Sequence, residues 1–172
     1  MALRDIVLYP DNRLKTVCEP VESFNAELRD FVNDLLDTCA SGPGAVGIAA
    51  PQVGVLQRIC IVDATRARHP VPNHGKLILV NPEITAWDGF AMGREGCLSV
   101  PDYTGNVVRA EKIQLKAYDL DGNALSFEME GYEARIAQHE IDHLDGILFL
   151  DRLISRGSDL FQRKPAKNKP AE

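Results

Sequence analysis

Leu28, Phe31, Val32, Leu35, Leu36 and Cys39 recur at three- and four-residue steps, and this spacing predicts an amphipathic helix over residues 25–40 with Asn25 as its N-cap. Gly42-Pro43-Gly44 ends it. Two short β-rich apolar runs follow, 58–63 and 77–81, separated by a polar stretch with Pro70, Pro72 and Gly75 that reads as a surface loop. Ile113, Leu115 and Ala117 alternate with polar residues, and Asp121-Gly122-Asn123 supplies a tight turn into Ala124, Ser126 and Glu128, so residues 111–130 form a predicted β-hairpin. A second helix is expected from about Tyr132 to Leu144, stopped by Gly146. Ile147 to Leu150 is a brief apolar run. From Lys164 onward the chain is rich in Lys, Pro and Asn and has no period, so residues 164–172 read as a basic, disordered tail outside a single domain, 1–163.

Composition narrows the class. A chain of 172 residues suits one core, and 45% hydrophobic with 26% charged residues is ordinary for a globular protein. No stretch approaches the roughly 20 apolar residues of a membrane span, and the opening residues lack the form of a secretory leader, so the expected location is the cytoplasm, with no membrane partner. Cys18, Cys39, Cys60 and Cys97 are spread singly, without a C-x-x-C pair, which argues against a disulfide framework. A formal charge of −6 argues against a general nucleic-acid groove and specific DNA binding, although Arg163, Lys164, Lys167 and Lys169 make the last ten residues locally basic.

The chemistry concentrates in His139-Glu140-Ile141-Asp142-His143. On a helix, a four-residue step returns to nearly the same direction, so His139 and His143 can bind one ion with Glu140 beside it as a proton acceptor. A catalytic site of this kind needs a third protein ligand and an open position. Downstream of His143 there is no further His, and the only Glu is Glu172. Upstream, Glu95-Gly96-Cys97-Leu98-Ser99 offers a thiol that would complete a Cys/His/His set; taken alone, Cys97 reads more often as a buried structural thiol, and only pairing with the histidine helix makes it a ligand.

With these residues in view, the chain resembles the peptide deformylases, metal hydrolases that remove the N-terminal formyl group from nascent polypeptides. Three motifs in family order carry the resemblance. The pattern G-x-G-φ-A-A-x-Q is approximated by residues 45–52, AVGIAAPQ; E-G-C-L-S stands intact at Glu95 to Ser99; Q-H-E-x-D-H stands intact at Gln138 to His143. The similarity extends from about Leu14 to about Leu153. It implies an α+β fold in which short antiparallel strands surround a central metal-binding helix, besides the long N-terminal helix. It also implies one divalent metal held by Cys97, His139 and His143, Fe(II) natively with Zn, Ni or Co as substitutes. Glu140 would be the general base, and the Gln52 side-chain amide and Leu98 backbone N–H would donate to the oxyanion. Formyl-methionyl peptides would bind as an added strand along Val46, Gly47, Ile48 and Gly96, with Val46, Tyr132, Ile136 and the face of His139 walling the methionine pocket.

Other residues remain open. Ala45 replaces the family's first glycine, which bears on substrate preference rather than on catalytic groups. Arg94 and Arg135 are either solvated or attract an acidic substrate group. Glu95 either pairs with Arg109 to steady its loop or is a surface charge, and His69 and His74 read as solvated. The basic tail is either solubilising or a ribosome contact. Two other classes compete with the deformylase reading: the same metal chemistry on another amide or peptide bond, and a non-catalytic metal module. The second leaves Glu140 without a purpose, since a closed structural site needs no proton acceptor.

Overall fold

The computed structural model describes residues 2–163. Helix α1 runs Ala26–Ser41, and the Asn25 side chain accepts from the Leu28 N–H at 3.1 Å, satisfying one of the free donors of the first turn. The stripe read from the sequence is its buried face: Leu28, Phe31, Val32, Leu35 and Cys39 pack with Ile48, Ile59, Ile61 and Val80. A single 3-10 turn, Asn12–Lys15, precedes it.

Strands β1 (Gly47–Ala49), β2 (Ile59–Asp63), β3 (Lys76–Cys97), β4 (Val100–Tyr118) and β5 (Ala124–Glu130) pair antiparallel in that order, and β6 (Leu160–Gln162) adds to β4. Strand β2 is buried on both faces. Ile59 and Ile61 join the α1 core, while Cys60 and Val62 face a second core with Ala134, Ala137, Ile141 and Leu144 of helix α2 (Gly131–Leu144), as the period of two requires. Burial of each such Val or Ile side chain contributes roughly 1.5–3 kcal/mol, so these two cores clamp β1 and β2 between the helices. A third cluster, with Leu14, Val107, Leu148 and Phe149, encloses Cys97.

The predicted hairpin appears as the β4–β5 pair, turned through Gly122 at φ +80°. Helix α2 starts at Gly131 and ends at Leu144, just before Gly146, whose φ is +73°. Ile147 to Leu150 leads into a 3-10 turn, Phe149–Arg152. Two strands depart from the short ones expected: β3 has 22 residues and β4 has 19. Most of β3 between Glu83 and Arg94 is exposed, so no alternating apolar face marks it; its hydrogen bonds to β4 hold it extended. The proposed disordered tail, 164–172, lies outside the described residues.

The β3–β4 ladder breaks where the chemistry sits. Glu95 lies opposite Gly105 and Cys97 opposite Val100, so β4 carries the extra residues and its stretch Tyr103–Gly105 pairs with β6 instead. The amino-terminal segment bridges two site loops: the Val7 N–H donates to the Gln52 carbonyl at 2.7 Å and the Tyr9 N–H to the Ser99 carbonyl at 2.8 Å.

Candidate active site

Helix α2 presents His139, Glu140 and His143 toward the end of β3, where Cys97 precedes the tight turn Leu98-Ser99. One ligand atom from each of Cys97, His139 and His143 lies within 4.8 Å of the others, and all three residues are buried. Cys97 Sγ is 3.4 Å from His143 Nε2. Among the described residues this is the one group of three or more such side chains able to hold a metal ion. The donor set suits a borderline-soft divalent ion. At the site, the buried Glu140 Oε1 has no hydrogen-bond partner among the described residues, which fits a polar centre built to receive something more.

An ion-pair chain fixes the first histidine. Glu95 Oε1 accepts from His139 Nδ1 at 2.8 Å, which leaves Nε2 for the ligand role. The same carboxylate takes Arg109 Nε at 2.9 Å and Nη2 at 2.8 Å, and Arg135 Nη1 at 2.8 Å. Arg109 reaches on to Asp142, which also accepts from Arg152 at 3.0 and 2.8 Å. Burial would raise the Glu95 pKa, but hydrogen bonds from Arg109 and His139 outweigh it and hold the carboxyl well below its usual range. Burial likewise opposes charge on His139, yet hydrogen bonding to Cys97 and Glu95 pushes its pKa well up. Burial, with the neighbouring charge of His139, pushes His143 down, as suits a neutral ligand.

Glu140 sits against β1. A methyl group on Gly47 would come within 2.7 Å of Glu140 Oε2 and 2.8 Å of the Ile61 carbonyl, so only glycine leaves room for the carboxylate. Burial pushes Glu140 up to about 7, the range in which a carboxyl both takes and returns a proton near neutrality. Gln52 is 2% exposed: its Oε1 accepts from the Ala49 N–H at 2.9 Å, and its Nε2 donates to Ser99 Oγ at 3.2 Å and to Cys97 Sγ at 3.4 Å. Gln138 ties α2 to β4 through both the N–H and the carbonyl of Ala110, at 2.9 and 2.8 Å.

Gln52, Glu95, Cys97, His139 and Glu140 line a cavity of about 430 Å³ that also includes Val46, Gly47, Gly96, Leu98, Tyr132 and Ile136. Ile48 is absent from the lining: it is fully buried in the α1 core, because alternation along β1 turns Gly47 and Ala49 toward α2 and Ile48 away. Ala45 carries no positive φ; Gly44, at +70°, takes the left-handed position beside it. Arg135 is not solvated, since its guanidinium also donates to the carbonyls of Val107 and Ala91 at 2.9 and 2.7 Å. His69 and His74 are both exposed as expected, and the His74 ring and backbone N–H also meet the buried Glu133. Sequence reasoning gave Asp142 and Ser99 no role and left that of Glu95 undecided, although all three fall inside the quoted motifs. Arg163, another lining residue, has no such signal.

Among the described residues no helix is long and apolar enough to cross a membrane. Comparison with known proteins points one way. Residues 3–159 match the family described as polypeptide deformylase. A peptide deformylase of Acidobacterium capsulatum is 44% identical over 169 residues, covering 97% of this chain and 96% of the relative. The structure of a peptide deformylase from Legionella pneumophila superposes with a TM-score of 0.81 at 41% identity, over 88% of this chain and 86% of that one. A Met-ala-ser bound class I type b peptide deformylase from Acinetobacter baumannii does so at 0.81 and 34% identity, over 88% and 99%. On sequence, fold and site together, the chain belongs to the polypeptide deformylase family.

Proposed function

We propose that this chain removes the formyl group from formyl-methionyl peptides by hydrolysis, releasing formate. The convergence of Cys97, His139 and His143 beside the buried carboxylate of Glu140 carries the reading. Cys97, His139 and His143 would hold one divalent ion, Fe(II) natively with Zn, Ni or Co as substitutes, and the ion would supply Lewis acidity that acidifies water and polarises a carbonyl. Glu140 takes the proton of the attacking water and returns it to the departing amide nitrogen. Its elevated pKa near 7 suits both transfers, although a bound cation would draw that value down. The Gln52 Nε2, which now contacts Ser99 Oγ at 3.2 Å and Cys97 Sγ at 3.4 Å, donates to the formyl oxygen as charge develops there. The backbone N–H of Leu98, in the turn directly after Cys97, is the second donor.

The peptide runs along the main chain of Val46, Gly47 and Gly96 as an added strand, which tolerates many sequences. Val46, Tyr132 and Ile136, on the cavity wall, take the methionine side chain. Ile48 contributes its main chain alone. Binding of Met-ala-ser by the Acinetobacter relative supports a short methionyl peptide as the occupant. Residues 1–163 act as the catalytic domain in the cytoplasm, and the basic stretch 164–172 is a ribosome contact. Elemental analysis of protein purified without oxygen, together with formate release from formyl-Met-Ala peptides, tests the core of the reading. Cleavage of unblocked peptides without formate release would overturn it.

A further inference from the structure

The mouth of the cavity carries two guanidinium groups that pair with no carboxylate among the described residues. Strand β6 continues its pairing through the Arg163 N–H, which donates to the Asp102 carbonyl at 2.7 Å. The Arg163 side chain turns back over the site loop, and a methyl group on Gly96 would collide with its guanidinium. Two residues earlier on the same side of the strand, the Phe161 ring supports Arg94, whose guanidinium carbon is 3.7 Å from the ring centroid. Arg94 also donates to Asn106 Oδ1 at 3.1 Å and Thr104 Oγ1 at 3.4 Å. A ring, an amide and a hydroxyl hold the group in place without neutralising it. Arg163 makes no side-chain hydrogen bond or ion pair among the described residues. The other guanidinium of the wall, Arg135, has a carboxylate partner: it pairs at 2.8 Å with Glu95, which it shares with Arg109. Arg94 and Arg163 are the guanidiniums of the wall that lack a carboxylate partner among the described residues.

We propose that Arg94 and Arg163 form a carboxylate-recognition rim that favours formyl peptides bearing an acidic side chain one or two residues beyond the methionine. This deepens the deformylase reading and rests on it. Planar guanidinium forks match carboxylates. Arg163 lies over Gly96, whose Cα is about 3.8 Å from that of Cys97. An extended peptide advances roughly 3.3 Å per residue, so its second or third side chain reaches this rim when its first residue is at the catalytic groups.

The test compares formyl-Met-Ala-Glu-amide, formyl-Met-Ala-Gln-amide, and formyl-Met-Ala-Ala with either a free or an amidated end. The Glu peptide is expected to exceed the Gln peptide in kcat/KM by about 5-fold per engaged arginine at low salt, through KM rather than kcat. The advantage shrinks as salt rises from about 0.02 to about 0.3 M. In Arg94→Gln, Arg163→Gln and the double variant, the Glu/Gln ratio falls toward one. In Arg163→Glu, the preference turns to a lysine-bearing peptide. Calorimetry with the unformylated peptide Met-Ala-Glu-amide on metal-free protein should show the same ordering of affinities, independent of turnover. An advantage confined to the free-ended peptide overturns side-chain recognition, because the Glu and Gln amides are then equal. Equal kcat/KM for Glu and Gln peptides overturns the rim while formate release continues. A rise for every peptide in Arg163→Gln also overturns it, by making that side chain a plug. No formate from any peptide is instead the failure of the deformylase reading.

Discussion

Replacing Glu95 with Gln keeps the shape of the side chain and removes the charge on which the histidine side of the site depends. The carboxylate is 7% exposed and accepts four hydrogen bonds, from Arg109 twice, Arg135 and His139, all between 2.8 and 2.9 Å. An amide can accept at one oxygen only and would turn its NH₂ toward cationic donors. Breaking a buried ion pair from one side costs about 3–5 kcal/mol. Arg109 keeps Asp142 and Arg135 keeps two carbonyls, so the lower end, about 3 kcal/mol, is expected. With a urea slope of about 2 kcal/mol/M, the midpoint falls by about 1.5 M. Loss of the carboxylate behind His139 weakens metal affinity by about 10- to 100-fold, read by chelator competition. Glu128→Gln, at an exposed position of β5, should stay within about 0.5 kcal/mol of wild type. The pH dependence has a definite sign. Because the Glu95 pKa is depressed in the fold, its contribution is present above the unfolded value near about 4.3 and is lost as pH falls further, through the folded value. The gap between wild type and variant therefore narrows in acid below about pH 4. A loss under about 1 kcal/mol at pH 7 together with unchanged metal affinity would refute the assignment of Glu95 as the anchor of His139.

Glu140→Ala should retain stoichiometric metal while formate release falls by about 10²- to 10⁴-fold, and wild-type turnover in that variant would defeat the proton-transfer role. Gly47→Ala places a methyl 2.7 Å from Glu140 Oε2 and 2.8 Å from the Ile61 carbonyl. The neighbouring strand cannot move, so Glu140 must, and kcat should drop about 10-fold or more with metal content intact; unchanged kcat would contradict the packing. Burial pushes the thiols of Cys18 and Cys39 up to about 11, and that of Cys60 well above its ordinary value. In the native protein at pH 7.5 these three should resist a disulfide thiol reagent for hours and react on unfolding, whereas rapid native labelling of any of them, mapped by mass spectrometry, would show that position to be open.

Periodicity was sufficient wherever a segment's own side chains make its core. Leu28 to Cys39 form a stripe that is buried as read, and the run at Ile59–Asp63 is a strand because its alternate residues enter two cores. The hairpin around Gly122 and the stop of α2 at Gly146 were legible because positive φ leaves a glycine signature. The long β3–β4 ladder was not, since its middle is solvated and its hydrogen bonds come from a partner strand rather than from any apolar pattern. The contact of the exposed His74 with Glu133 was not legible either, because the two lie 59 residues apart.

From the sequence alone came the candidate ligands, the general base and the family, because H-E-x-D-H and E-G-C-L-S are local and each residue type has a chemistry of its own. Tertiary structure alone decided that Cys97 Sγ approaches His143 Nε2 to 3.4 Å, that Glu95 stands behind His139, that Ile48 faces away from the cavity, and that Arg163 returns over Gly96. Those are relations between segments tens of residues apart. The break in the β3–β4 register and the packing of α2 against β1 set them, and no spacing along one chain records a distance across a sheet.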